Sequence, residues 1–197
     1  SKQTTIQLDA EGNQTGSSIS ELTNTYDNAK GLATQHRIES SLINGEPIVN
    51  HIYDAAWAYE NGRRFNISQT DTWFNAGIIT REYKSILNYD ENRNPFSTTR
   101  TNSWFNAGNK TQEQTDTRDL AGHPISGGNT WYDSNGVKTN SSTYTIDATY
   151  DAASGRQLTS KQTTIQLNAQ DQKTGSSISE STNTFDTSGR QLTSTQT

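Results

Sequence analysis

Residues 150–168 read YDAASGRQLTSKQTTIQLN. An aromatic–acid pair, Tyr150-Asp151, opens a run of small residues that reaches Gly155. Arg156–Leu167 then runs without Gly or Pro until Asn168 opens the next interruption. Asp and Asn bond nearby backbone, and Gly supplies positive φ at little cost, so both ends read as tight turns. The stretch between them is rich in Thr and Ile among alternating polar residues. It lacks the i, i+3, i+4 apolar stripe of a helix, so it reads as a strand. A strand between two tight turns runs antiparallel to both neighbours.

The same turn signal recurs along the whole chain. Its acidic or amide residue falls at Asp9, Asp27, Asn44, Glu60, Asn75, Asp90, Asn106, Asp119, Asp133, Asp151, Asn168 and Asp186. The preceding residue is apolar or aromatic except at Arg118, and a Gly follows within four residues except after Asp90 and Asn168. A period of about 16 residues marks a repeat architecture, and such arrays build surfaces, shells and fibres more often than active sites. A longer repeat lies over the first. SKQTTIQLDAEGNQTGSSISELTNTYD (1–27) returns as SKQTTIQLNAQDQKTGSSISESTNTFD (160–186), and GRQLTSKQT (155–163) returns as GRQLTSTQT (189–197). The larger unit is therefore 34 residues, one hairpin of two 16–17-residue turn units.

The predicted fold is all-β: about thirteen antiparallel strands in one continuous meander over residues 1–197, with an open, a coiled and a closed tubular sheet all compatible with the pattern. Strands of eleven or so residues would be roughly 35–40 Å long. Two short strands per turn unit, with an unmarked second turn, is the alternative. The repeated ends suggest a window of a longer array or a processed product. Pro47, Pro95 and Pro124 each follow a turn opener, where a missing N–H does not interrupt a ladder.

Composition narrows the function. Only 28% of the chain is hydrophobic, against about 45–50% in ordinary domains, too little to fill a globular core. The aromatics nevertheless sit at fixed points of the period, which a disordered chain does not do. Tyr26, Tyr59, Phe74, Tyr89, Phe105, Tyr132, Tyr150 and Phe185 precede turns and are expected near the sheet margins, stacked on cross-strand neighbours. Trp73, Trp104 and Trp131 come one residue earlier and face the other way. The block from Trp57 to Trp131 is the candidate for a second packed face or a subunit contact. The net charge of −5 is spread along the chain without a basic patch, so nucleic acid is not an expected partner. No apolar run is long enough to span a membrane as a helix. Without cysteine there is no disulfide or thiolate site.

Several motifs resemble the YD repeats of bacterial Rhs proteins, toxin-complex shells and the teneurin barrel. The family pattern is Tyr-Asp, two residues, Gly-Arg, then a Leu/Thr-rich strand. Phe185-Asp186-Thr187-Ser188-Gly189-Arg190 follows it with Phe for Tyr, and Tyr150–Arg156 with one added residue. Tyr132-Asp133-Ser134-Asn135-Gly136 follows it up to the Arg, while Trp73–Gly77 and Trp104–Gly108 are looser. Tyr59-Glu60-Asn61-Gly62 is also distantly similar to MORN-type repeats. The YD resemblance implies a long antiparallel sheet that spirals into a tube or shell.

The residues expected to matter are structural turn residues: Tyr26, Asp27 and Gly31; Tyr59 and Gly62; Phe74, Asn75 and Gly77; Phe105, Asn106 and Gly108; Tyr132, Asp133 and Gly136; Tyr150, Asp151 and Gly155; Phe185, Asp186 and Gly189. No catalytic, cofactor or metal site is assigned. His36, His51 and His123 lack metal-ligand spacing. Asp9–Asn13 and Asp90–Asn94 alternate oxygen ligands but lack the downstream Glu of a calcium loop, and both coincide with turns. The N-x-S/T sequons at Asn13, Asn66, Asn109 and Asn140 fit chance in a chain this rich in Asn, Ser and Thr. The expectation is a non-enzymatic structural part of an extracellular filament, sheath or surface appendage, partnered by copies of itself through sheet edges. A fragment of a toxin-encapsulating shell or large adhesin is the alternative. A carbohydrate-binding module, with glycan stacked on Trp57, Trp73, Trp104 and Trp131, is a further one.

Overall fold

A computed structural model describes residues 1–8, 14–27, 32–43, 46–60, 63–90, 94–151, 154–186 and 190–196. Thirteen strands follow in chain order: β1 Lys2–Leu8, β2 Gln14–Asp27, β3 Leu32–Ile43, β4 Glu46–Glu60, β5 Arg63–Asn75, β6 Ile78–Tyr89, β7 Pro95–Asn106, β8 Asn109–Asp119, β9 Pro124–Tyr132, β10 Lys138–Tyr150, β11 Gln157–Asn168, β12 Lys173–Phe185 and β13 Gln191–Gln196. They form one sheet in the order β1 to β13 without a crossover, and every neighbouring pair is antiparallel. There is no helix among the described residues, and the sheet is not closed. The single long strand per turn interval is the arrangement adopted, not two short ones.

The turn openers set these boundaries. Asp27, Glu60, Asn75, Asn106, Asp119 and Asn168 are each the last residue of a strand, and Asp90, Asp133, Asp151 and Asp186 each come one place after a strand ends. Asp9 and Asn44 lie outside the described residues, directly after β1 and β3. The prolines sit where a missing donor is harmless: Pro95 and Pro124 begin β7 and β9, and Pro47 is second in β4.

A bulge falls one rung from most turns, with the extra residue on the outgoing strand. Phe74 pairs with Ile79 while Trp73 pairs with Arg81, so Thr80 is skipped. Thr111 is skipped in the same way between β7 and β8, and Thr139 between β9 and β10. Each skipped threonine donates its hydroxyl to the carbonyl of the tryptophan before the turn: Thr80 to Trp73 at 3.3 Å, Thr111 to Trp104 at 3.2 Å and Thr139 to Trp131 at 3.1 Å. The three W-F/Y-turn-T segments are therefore one device used three times.

Among the described residues nothing packs over this sheet. The buried hydrophobic residues are Ala33 and Ala55 alone among those described. The accessible surface is 12,968 Å², against about 9,300 Å² for a compact monomer of this mass. Twelve inter-strand spacings make the sheet roughly 58 Å wide. Its stability comes from backbone ladders and cross-strand side-chain pairs, not from a core.

Candidate functional site

Two kinds of turn hold the predicted turn residues. In the first, the opener's side-chain oxygen accepts from the backbone four or so residues on, and its own N–H donates back across the turn. Asp133 is the fullest case: its Oδ1 accepts from the N–H of Asn135 at 2.8 Å and of Val137 at 2.9 Å, and its N–H reaches the Val137 carbonyl at 2.9 Å. Asp119 and Asp186 do the same with His123 and Arg190, and Asp90 with Asn94. At Asp151, Oδ1 takes the N–H and hydroxyl of Ser154. Gly136 and Gly155 supply the positive φ, 78° and 69°. The turn at Asn168 has no Gly, and Asp171 takes φ 60° instead. The carboxylate of Asp90 is used in this way, as a turn acceptor.

The second kind joins β5 to β6 and β7 to β8. Asn75 pairs with Ile78 and Asn106 with Asn109, leaving two residues in each loop. Both central residues have positive φ, Ala76 and Gly77 at 50° and 79°, Ala107 and Gly108 at 50° and 84°. This is the mirror-image hairpin turn that suits twisted strands. An alanine takes the first left-handed position, and the amide opener remains a strand residue. Tyr26 and Asp27 close β2, Phe74 and Phe105 sit next to last in β5 and β7, and Tyr59 next to last in β4. Tyr132, Tyr150 and Phe185 end β9, β10 and β12. Gly31, Gly62 and Gly189 lie outside the described residues.

Three of the aromatics before turns have a histidine or a cation as ring neighbour. His123 stacks on Tyr150 with ring centroids 3.6 Å apart, Arg156 lies 5.5 Å over Phe185, and Lys110 lies 5.9 Å from Tyr132. Alternate turns lie at opposite margins, so successive aromatics on one margin are two strands, roughly 9.5 Å, apart. Burial acts to raise the Asp119 carboxyl, but the backbone and imidazole of His123 and the backbone of Ala121 hold it below its usual value. Burial, and then the Asp119 charge, pushes the Tyr150 hydroxyl up.

The tryptophans meet across the sheet. The pairing places Glu39, His51, Trp73, Arg81, Trp104, Gln112, Trp131 and Asn140 in one continuous row, one residue from each of β3 to β10. His51 stacks on Trp73 at 5.1 Å and 16°, and the Arg81 guanidinium lies 5.0 Å from Trp73 and 6.0 Å from Trp104. The guanidinium therefore sits between the Trp73 and Trp104 rings, with the imidazole on the other side of Trp73. One place along the same face lies Asp71, 7% exposed. The His51 ring bridges two carboxylates, Nε2 to Asp71 at 2.9 Å and Nδ1 to Glu39 at 3.0 Å, and Gln69 donates to the other Asp71 oxygen at 2.6 Å. Sequence spacing missed this cluster, because its members are 12 and 20 residues apart and meet only through register.

The opposite face carries hydroxyls. Thr99 and Thr101 of β7 face Thr117 and Thr115 of β8 at 3.3 and 3.4 Å, and Ser97 and Ser103 are nearly inaccessible. A shallow hollow of about 490 Å³ opens over β8–β10, lined among others by Thr115, Gly128 and Thr143. No group of three or more His, Cys, Asp or Glu placed to hold a metal occurs among the described residues.

The remaining feature is the pair of edges. β1 is exposed from Lys2 to Ile6, and β13 is exposed throughout. β13 pairs only with Ser181–Phe185, so among the described residues Lys173–Glu180 of β12 has no strand on its outer side. Compared with known proteins, the chain matches no family model, and no curated protein matches its sequence.

Proposed function

We propose that this chain is a non-catalytic structural module, a length of β-array that builds an extended extracellular filament, sheath or surface appendage by continuing its sheet edge to edge. The observation that carries this reading is the single open layer: thirteen strands in strict sequence, both outer strands exposed, and no second layer over either face. Exposed strand edges are templates for further pairing, and natural monomers blunt them with charge, proline or a covering element. Here β1 carries Lys2 alone and β13 no charge or proline. A contact between unlike edges that does not close on itself makes a filament.

The YD-type turns support a second reading, part of a larger shell around a cargo. The row geometry argues less for glycan stacking. Both faces of Trp73 are taken by His51 and Arg81, which leaves Trp131, 37% exposed, as the accessible indole of the row.

Electron microscopy of the concentrated chain, with sedimentation velocity over a concentration series, separates these readings. Filaments or ribbons and a rising sedimentation coefficient are expected. Hollow particles built from a longer chain would move the reading to a shell. A chain that stays monomeric at high concentration would remove self-assembly.

A further inference from the structure

We infer that the hydroxyl face pairs with the same face of a second copy of the chain, about a two-fold axis that runs along β9 through Ser126. This contact uses a face and no edge, so it does not rest on edge-to-edge assembly.

The observation behind it is a palindrome that exists only in the folded register. Cross-strand partners share one face of a sheet. From β6 to β12 one row of partners reads Ile86, Thr99, Thr117, Ser126, Thr145, Thr163, Ile178. From either end it is Ile-Thr-Thr-Ser-Thr-Thr-Ile, with Ser126 at the centre. The next row runs Thr101, Thr115, Gly128, Thr143, Ile165 across β7 to β11. It is symmetric about Gly128, except that Thr101 answers Ile165, another β-branched side chain. Neither row holds a charge. The row on the opposite face, through Arg81, Trp104, Gln112, Trp131 and Asn140, has no such symmetry.

A palindromic row is what an isologous contact requires. A two-fold interface sets one patch against itself, so residue i meets j and j meets i. Rotation about an axis along β9 carries β6 onto β12 of the partner, β7 onto β11 and β8 onto β10. Ile86 then lies over Ile178, Thr99 over Thr163, Thr117 over Thr145, and Ser126 over its own copy. An axis along the strands also keeps the two strand directions aligned, one of the two ways in which sheets pack face to face. Ile86 is 51% exposed although β5 and β7 flank it on both sides, so its exposure is to the open face.

Size and chemistry fit a second copy. Seven strands spaced about 4.8 Å apart, each with about eleven residues, present roughly 1,200 Å² per copy. A stable interface needs about 800 Å² per partner. The contact places an aliphatic pair at each end of the row and threonine methyls between them. The hollow of about 490 Å³ takes its lining from both rows, Thr117, Ser126 and Thr145 with Thr115, Gly128 and Thr143, and so is centred on the axis. Two such hollows close on each other into one hydroxyl-lined chamber, polar and roomy enough to hold water.

The test is sedimentation equilibrium on the full chain and its variants, with circular dichroism to check that each keeps its strands. A discrete dimer is expected. Ile86→Lys and Ile178→Glu are each expected to raise its dissociation constant about tenfold or more, since each removes an aliphatic contact at both ends of the dimer. Within one chain the two isoleucines are six strand spacings, roughly 29 Å, apart, so any coupling between them acts between copies. The double variant sets an ammonium over a carboxylate at both ends and is expected to recover most of the loss. Gln114→Lys, on the opposite face of β8 across from Asn102 and Asn129, is expected to change nothing. A chain that stays monomeric overturns the face pairing. So does an assembly that ignores Ile86→Lys, and that result leaves edge-to-edge assembly standing. A dimer that both single variants weaken and the double variant does not rescue is joined in another register, and overturns the axis through Ser126.

Discussion

Ala76 and Ala107 occupy left-handed backbone at φ 50°, a position that costs an ordinary L-residue about 1–2 kcal/mol. Asn tolerates it through a local side-chain hydrogen bond and, unlike Gly, adds little freedom to the unfolded chain. Ala76→Asn and Ala107→Asn should each stabilise the chain by roughly 0.5–1 kcal/mol, read as a higher denaturation midpoint. Asp119 gives a pH dependence of definite sign. Its carboxyl is held below the ordinary value in the folded chain, so its contribution is present above the unfolded pKa and is lost as pH falls through the folded one. Asp119→Asn keeps the oxygen that accepts from the His123 N–H and removes the charge. Denaturant midpoints from pH 7 to pH 2 should fall less steeply for this variant below about pH 4. At this scale the sequence was informative, because an acceptor oxygen and a positive φ are properties of Asp, Asn and Gly themselves. The left-handed alanines were not legible, since alanine carries no mark of the loop length that forces it there.

Strand β9 is shaped by two adjacent glycines. A Cβ on Gly128 would stand 2.5 Å from the Ser142 carbonyl oxygen, and one on Gly127 would stand 2.4 Å from both the Thr115 carbonyl oxygen and the Tyr144 hydroxyl. Tyr144 is cross-strand to Gly127, which is cross-strand to Asp116. The ring lies over the bare backbone, where burial and then the Asp116 charge push its hydroxyl up. Gly175 differs: its nearest neighbour is the movable end of Gln166, at 3.0 Å. Gly128→Ala should therefore cost about 1–3 kcal/mol as backbone shifts, and Gly175→Ala well under 1 kcal/mol, compared by chemical denaturation. The number and direction of strands could be read from spacing, since every opener ends a strand or follows one. Register could not. It depends on which residue each bulge skips, and a single slip would move Trp73 away from His51 and Arg81. The Glu39–His51–Asp71 cluster stayed hidden for the same reason.

Across the whole molecule, low hydrophobic content becomes an open sheet with two solvated faces of different chemistry. One face is tied by an aromatic–cation row, the other by hydroxyl ladders. Neither face has a covering layer, so each strand is stabilised by its two neighbours, and stability is close to a sum of nearest-neighbour terms as in other repeat arrays. The outer strands have one neighbour each, which is why the edges dominate the reading of function.

The strict order of strands also decides how this molecule would bear a load. Its two ends lie on opposite margins, so tension between them acts across the strands, in the direction of the ladder hydrogen bonds. Rungs then break one after another, as in a zipper, instead of all at once in shear. Each 34-residue hairpin drawn out would pay out roughly 100–110 Å of chain. Under tension applied in that direction the sheet would lengthen one hairpin at a time and at lower force than a sheet loaded in shear.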